Sequence, residues 1–579
     1  MIDERDGMRI EWDVPIRMDD GVTLRADIYR PVESGTHPVL LTYGPYAKGL
    51  PFQDGYPDSW EALVRAHPEV AEGTTAKYVT WETPDPEKWV PDGYVVLRVD
   101  ARGWGRSPGF IEPYSPREIR DLFACIEWAG TRPWSTGKVG LLGISYFAVN
   151  QWLVAGLQPP HLAAMVPWEG LGDQYRDSMY HGGIMTTSVD VWFRRTITTI
   201  QHGRGTRDGV NPNTGELYNG PETLSDEKLA LNRSNYPGTI RGRRLFDEFY
   251  RARSADWSKI TVPFLASGNW GGHGKHLRGA VEAFTRATST QKWLEIHGEG
   301  HWVSFYTGHG VALQKRFFDH FLKGVDNGWD HQPPVILRVR TLDGFVDRSE
   351  QEWPLARTKW TRMFLDSAAG RLSDSPGETG EQSGFEAPGD GVTFYTEPVV
   401  EETEITGPVS VKLFVSSSTE DADLFLVVSV FGPDDREVVF QGAVDPHTPI
   451  AQGWLRASHR TLDPELTTEY RPYHTHDAVR PLVPGEIYEL DVEIWPTCIV
   501  VPAGYRIALT VRGRDYEYAD LDEAPQFSHF KGSQMRGSGI YVHDDPGDRP
   551  PEVFGGTTTI HTGAGYPSHV LLPVIPAGG

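Results

Sequence analysis

Five segments in the first 170 residues, TLRADIYR, PVLLTYG, YVVLRVD, KVGLLGIS and LAAMVPWEG, read as strands, and the stretches between the last three read as helices. This alternation restricts the fold more than any other feature of the chain. Strands of this kind separated by helices build a mostly parallel sheet covered on both faces. The stretch from Pro116 to Gly130 sets Ile119, Leu122, Phe123 and Ile126 at helical spacing and stops at a glycine, so one face packs on the sheet. VPFLASGNW and KWLEIHGEGH continue the strands after an interruption from about Asp173 to Ile260. The interruption holds the helical patterns SVDVWFRRTITTI, DEKLALNR and RRLFDEFYRARS around the loop TRDGVNPNTGELYNGPE. Helices inserted between strands of an α/β sheet are expected to form a cap over the carboxyl ends of the strands.

With 579 residues the chain is too long for one core. Beyond about residue 345, VSVKLFVSSS, DLFLVVSVFG, REVVFQG, IYELDVEIWP and YRIALTVRG are separate strands between Gly, Pro and Asp turns. Tyr488, Leu490, Val492 and Ile494 alternate with Glu489, Asp491 and Glu493. The expected layout is an α/β domain from residues 1–172 and 261–344, a helical cap insertion at 173–260, and an antiparallel jelly-roll sandwich at 345–579. The formal charge of −24 opposes nucleic acid and anionic membranes as partners. The charged start MIDERDG and the lack of a run of ~20 apolar residues predict a soluble, cytoplasmic protein, and the sandwich edges and acidic surface are compatible with a monomer or homodimer. Cys125 and Cys498 lie far apart and read as buried thiols.

The chemistry concentrates around LLGISYF. A nucleophile in such a sheet projects from a sharp strand-to-helix turn, which needs small neighbours. Gly143 supplies one before Ser145, while Phe147 stands where G-x-S-x-G has its second glycine. A partner histidine belongs in the loop after the last strand, where EIHGEGHW places His301; His297 sits at the strand end and reads as packed. A zinc pair of His297 and His301 fails because four-residue spacing aligns ligands on a helix, not on a strand and its loop. One oxyanion donor is expected from the Tyr146 backbone N–H and a second from the loop after PVLLTYG, where Tyr46 in GPYAKG either offers its hydroxyl or packs as a core tyrosine. His273 and His276 in GGHGKH read as lining the pocket mouth or facing solvent, and the acidic loops STEDAD and HDDPGD as solvated turns.

VLLTYGPYAKG, GYVVLRVDARGWGRSPG, IEWAGTRPWSTGKVGLLGISYFAVNQW, DQYRDSMYHGGI, GWLRASHR and PAGYRIALTVRG together resemble the cocaine esterase/X-prolyl dipeptidyl peptidase group of serine hydrolases. The resemblance implies an α/β-hydrolase domain, a helical cap and a jelly roll. It also implies Ser145 as nucleophile with a non-glycine tolerated at Phe147, Tyr46 as an oxyanion donor, and His301 as the base. The group's acid follows the penultimate strand in a G-W-Y-D-like segment; here the segment is GNWGGHG, and Gly271 takes the place of the aspartate. Glu169, at the end of the preceding strand, is the expected replacement, with Asp173 second and Asn269 third; Asp173 matches a structural D-x-Y-R segment of the group. Trp168, Trp270 and Trp302 adjoin the proposed catalytic loops and are expected to wall the site for an apolar or aromatic acyl group. The expected reaction is ester hydrolysis through an acyl-enzyme, with neither cofactor nor metal. Amide or peptide hydrolysis is the alternative, with Glu299 or Asp173 available as an anionic clamp for an amino group, and a non-catalytic binding protein is the third reading.

Overall fold

The computed structural model describes residues 1–519 and 535–576. Its first half is built on a mixed sheet of 11 strands: β1 (Ile2–Arg5), β2 (Met8–Arg17), β3 (Thr23–Pro31), β4 (His37–Gly44), β5 (Val95–Asp100), β6 (Ser135–Ile144), β7 (Leu162–Trp168), β8 (Phe264–Asn269), β9 (Lys292–His297), β10 (Val335–Thr341) and β11 (Gly344–Glu350). The order is β1-β2-β3-β5-β4-β6-β7-β8-β9-β10-β11. The seven strands from β5 to β10 in that order are parallel to their neighbours, and antiparallel strands close both edges. The parallel centre explains the near-continuous apolar runs, because both faces are covered. The sheet takes in Gly344–Glu350, beyond the change of texture near residue 344, since β11 pairs along its whole length with β10.

Helix α1 (Pro116–Gly130) starts on Ser115, whose side chain accepts the Glu118 N–H, and buries Ile119, Leu122, Cys125 and Ile126. Helix α2 (Tyr146–Ala155) follows β6 and is buried almost all round. Its tight seat shows why Phe147 is compatible with the turn. A Cβ on Gly143 would lie 2.6 Å from the Phe147 Cβ, and one on Gly44 would lie 2.9 Å from its ring. The room that a second glycine would give is supplied by glycines on β4 and β6.

Within residues 173–260, SVDVWFRRTITTI is helical from Ser188 to Ile200 with a π turn at Phe193–Ile197, and DEKLALNR is helical from Asp226 to Leu231, whereas only Glu248–Arg251 of RRLFDEFYRARS is α-helical, capped by Asp247. The later half is all-β. Thr403–Ser417 pairs antiparallel with Tyr488–Val501, and Leu490, Val492 and Ile494 face its core as their alternation predicts.

The acidic loops differ from the expectation of solvated turns. Asp423 of STEDAD and Asp548 of HDDPGD are buried on Arg456 at 2.8 and 2.9 Å, and Asp423 also holds Arg549 at 2.9 Å. Arg456 comes from distant sequence, and Arg549, adjoining HDDPGD, reaches across 126 positions to Asp423, so local composition could not reveal the cluster. Cys125 and Cys498 are free and buried. Among the described residues no helix is long and apolar enough to cross a membrane.

Candidate active site

Ser145 leaves β6 with φ 56° and ψ −111°, a region that costs a non-glycine residue energy and that persists because the surroundings fix it. Its N–H donates to the Trp168 carbonyl on β7 at 3.0 Å, and Ala148 and Val149 of α2 donate to its own carbonyl. The hydroxyl is thereby held at the carboxyl edge of the sheet, at the foot of a ten-residue helix whose first amide is that of Tyr146. The Tyr146 ring points away, stacked on Tyr114 at 4.2 Å with its hydroxyl donating to Glu118.

The next strand ends on Glu169, which also has positive φ (49°) and whose N–H donates to Ser267 on β8 at 2.8 Å. Its fully buried carboxylate is shared. Oε2 lies 2.6 Å from Nδ1 of His301, and Oε1 lies 2.9 Å from Nε2 of His297 and accepts from the Asn269 side chain at 3.2 Å. Burial alone would raise the Glu169 pKa, but the His301 and His297 rings outweigh it and hold the carboxyl well below the usual range. Burial likewise depresses His301, yet Glu169 and Glu82 push it up to about 9; Glu295 and Glu169 push His297 up to about 10.

Two further residues enter: His276, expected at the pocket mouth or facing solvent, and Glu82, not expected at all. His276 brings Nε2 to 3.3 Å from Ser145 Oγ and stacks on His301, ring centroids 4.4 Å apart, while its Nδ1 is 4.0 Å from Glu169. Glu82, from the irregular chain between β4 and β5, lies 2.9 Å from Nε2 of His301. Burial raises its pKa, the His301 hydrogen bond opposing. The GGHGKH segment gave a weak signal for His276; Glu82 gave none.

The other expected residues are placed as follows. Tyr46 (φ 83°) lines a cavity of about 60 Å³ together with Ser145, His276, His301, Glu82 and Lys275. Trp168 is sealed in the sheet against His297, and Trp270 donates to the Arg338 carbonyl; neither lines the cavity, and Trp302 stands one ring behind Trp81. Strand ends inside a parallel sheet are buried from both faces, so these indoles pack inward. The aromatic wall comes instead from Tyr56, Trp81, Tyr114, Trp192 and Tyr541. Asp173 is committed to Arg176 at 2.6 Å, Glu299 to Arg338 at 3.2 Å, and Asn269 to Glu169 and the Glu299 carbonyl. Gly271 cannot carry a side chain, because its Cβ would fall 2.3 Å from the Gly442 Cα.

Glu169, His276 and His301 bring one potential metal-ligand atom each within 4.8 Å. Both His301 nitrogens and the His276 Nε2 are already engaged by hydrogen bonds. The set is that of an acid–base site, and no ligation is assigned to it.

Residues 20–302 match the X-Pro dipeptidyl-peptidase (S15) family, and 327–571 match the X-Pro dipeptidyl-peptidase C-terminal non-catalytic domain. A solved CocE/NonD family hydrolase from Staphylococcus aureus superposes with a TM-score of 0.82 at 31% identity, over 98% of this chain and 94% of that one. The chain belongs to the CocE/NonD family of hydrolases. Cocaine esterase from Rhodococcus sp. (strain MB1 Bresler) is 24% identical over 97% of this chain and 98% of its own. An aminopeptidase from a Thaumarchaeota archaeon shares the fold, with a TM-score of 0.70 at 15% identity, covering 99% of this chain and 98% of that one. This CocE/NonD chain is therefore an enzyme, a hydrolase of ester or peptide bonds.

Proposed function

We propose that this CocE/NonD hydrolase cleaves carboxylic esters through an acyl-enzyme on Ser145, with His301 as general base, Glu169 as its acid, and the Tyr46 hydroxyl and Tyr146 N–H as oxyanion donors. The observation that carries the reading is the 2.6 Å contact between the buried Glu169 carboxylate and Nδ1 of His301, beside the Ser145 turn. A base needs its far nitrogen fixed by a carboxylate, which sets the tautomer and stabilises the imidazolium. His301 has that anchor; His276, 4.0 Å from the same oxygen, is beyond hydrogen-bond length.

In the resting arrangement Ser145 Oγ faces His276. Rotation of the serine about χ1 to another staggered well turns Oγ to Nε2 of His301. The hydroxyl proton passes to Nε2 as Oγ attacks the carbonyl carbon, and the oxyanion forms against the two donors. The alkoxide leaves with the proton from Nε2, and water repeats the sequence on the acyl-enzyme. The cavity, small and walled by aromatic rings, suits a short or flat apolar acyl group. Residues 173–260 act in this scheme as a cap over the strand ends. The hydrolase unit comprises residues 1–172 and 261–350, its last strand being Gly344–Glu350, and the described residues beyond it form the jelly roll.

The test is a panel of p-nitrophenyl esters and p-nitroanilides with wild type, Ser145→Ala and His301→Asn. Esters turned over by wild type and by neither variant support the reading. Preference for the anilides would favour the peptidase chemistry that the S15 match suggests. Wild type that neither turns over any substrate nor labels with a fluorophosphonate would point to a binding protein.

A further inference from the structure

The resting site poses a problem that the triad alone does not answer: Nε2 of His301, the nitrogen that must receive the serine proton, is occupied by Glu82 at 2.9 Å. The contact is built in. The Glu82 carbonyl accepts the N–H of Ile144, one residue before the nucleophile, at 3.1 Å, and Glu82 itself holds φ 62°. The following residue, Thr83, donates its N–H to the Tyr306 hydroxyl at 3.1 Å. A strained glutamate pinned to the nucleophile strand is a local cost that the surroundings sustain, the pattern found at functional positions.

We propose that Glu82 is a positioning residue that competes with Ser145 for Nε2 of His301, so that the base works only after the proton in the Glu82–His301 bond has left for solvent. This rests on His301 being the base. The hydrogen bond holds one proton between Nε2 and Oε1. Its departure leaves a lone pair on Nε2, and the Oγ–H of Ser145 can then donate to it. On attack that proton moves to Nε2 while the Oγ electron pair forms the bond to the carbonyl carbon.

The groups that face the pair set its proton affinity. They are Glu169 after β7, His276 and Lys275 from the loop after β8, and the phenols of Tyr46, Tyr56, Tyr306 and Tyr541, which burial keeps neutral; Arg195 lines the same cavity. Of these, Glu82 and Glu169 are the two carboxylates in contact with the ring. Removing the Glu82 charge leaves one, and His301 then loses its proton at lower pH.

The experiment measures kcat/KM for p-nitrophenyl butyrate from pH 5 to 10, corrected for spontaneous hydrolysis, on the full-length protein. Wild type should show an acid limb in the alkaline range. Glu82→Gln should move its midpoint down by at least one unit, so that kcat/KM at pH 7 rises about tenfold. Glu82→Asp, which withdraws the carboxylate by one methylene, should move it in the same direction and stands in should the glutamine variant misfold. An unmoved midpoint, or a loss of more than tenfold at every pH, overturns the proposal. His301→Asn in the same series separates the two failures. A dead His301→Asn with an unmoved Glu82→Gln midpoint defeats the Glu82 role alone, and an active His301→Asn defeats the base assignment and this role with it.

Discussion

At the carboxyl edge of the sheet β7 and β8 end side by side, joined by the Glu169 N–H to Ser267 hydrogen bond, and only the β7 end offers a carboxylate to His301. The β8 end continues as Asn269, Trp270 and Gly271, and there the all-β half of the chain has moved in. The Ala443 N–H donates to the Gly271 carbonyl at 3.1 Å, and the His301 N–H donates to the Ala443 carbonyl at 2.9 Å. A side chain at 271 would strike the Gly442 backbone, so the space in which an aspartate would stand is filled by a segment that also braces the histidine loop. The comparison teaches that reach, rather than position in the strand order, decides which strand end meets the histidine. The ends of β7 and β8, the next two strands beyond β6, both lie beside the histidine loop, and the unobstructed one carries the carboxylate.

The strongest way to break this comparison is Glu169→Gln. Loss of the carboxylate leaves His301 without its anchor, and kcat should fall by roughly 10³–10⁴ with little change in KM. Activity near the wild-type value would return the acid role to Asp173 or Asn269, both of which are committed elsewhere. Next in size is the reciprocal graft, Gly271→Asp in the Glu169→Gln background. The added side chain meets backbone, which cannot rotate aside. The graft should leave activity unrestored and destabilise the fold by about 3 kcal/mol, read as the midpoint of urea unfolding. Restored turnover would show that the Gly442 segment yields.

The contrast also marks where sequence was legible. The strand alternation, the G-x-S turn and the period-two pattern of residues 488–494 are local, and the structure carries each of them at the expected place. Glu169 was accessible because it ends a recognisable strand. Glu82 lies on a chain segment without periodicity and reaches His301 across 219 positions, so nothing near it announces the contact. The tryptophans misdirected for the opposite reason: adjacency to a catalytic loop says nothing of which face a strand end presents, and Trp168 and Trp270 turn into the core. The buried Asp423–Arg456–Asp548 cluster was hidden behind loops of polar composition.

A smaller effect distinguishes the two histidines that the loops after β8 and β9 supply. His276 comes from the loop after β8 and meets Ser145 Oγ, with its Nδ1 4.0 Å from Glu169, against 2.6 Å for His301. If its part is to park the hydroxyl, His276→Ala should change kcat by no more than about tenfold, which is about 1.4 kcal/mol in the barrier. His301→Asn should cost at least a hundred times more. Equal losses would make the pair a single unit and dissolve the distinction between the loops.

The smallest expected effect concerns the second ring on Glu169. His297 sits between Glu169 and Glu295, each 2.9 Å away, and its pKa stands near 10 in the folded chain against about 6.5 unfolded. A raised folded pKa contributes stability that is fully present below pH 6.5 and is lost as the pH climbs through 10. Glu295→Gln leaves the ring one carboxylate. It should lower stability at pH 7 by about 1–2 kcal/mol, and the gap to wild type, measured by unfolding from pH 7 to pH 10, should hold until the pH reaches the variant's lowered His297 pKa and then close as the pH climbs towards 10. A gap that stays constant across that range would mean that His297 is neutral in both proteins and that the Glu169 carboxylate answers to His301 alone.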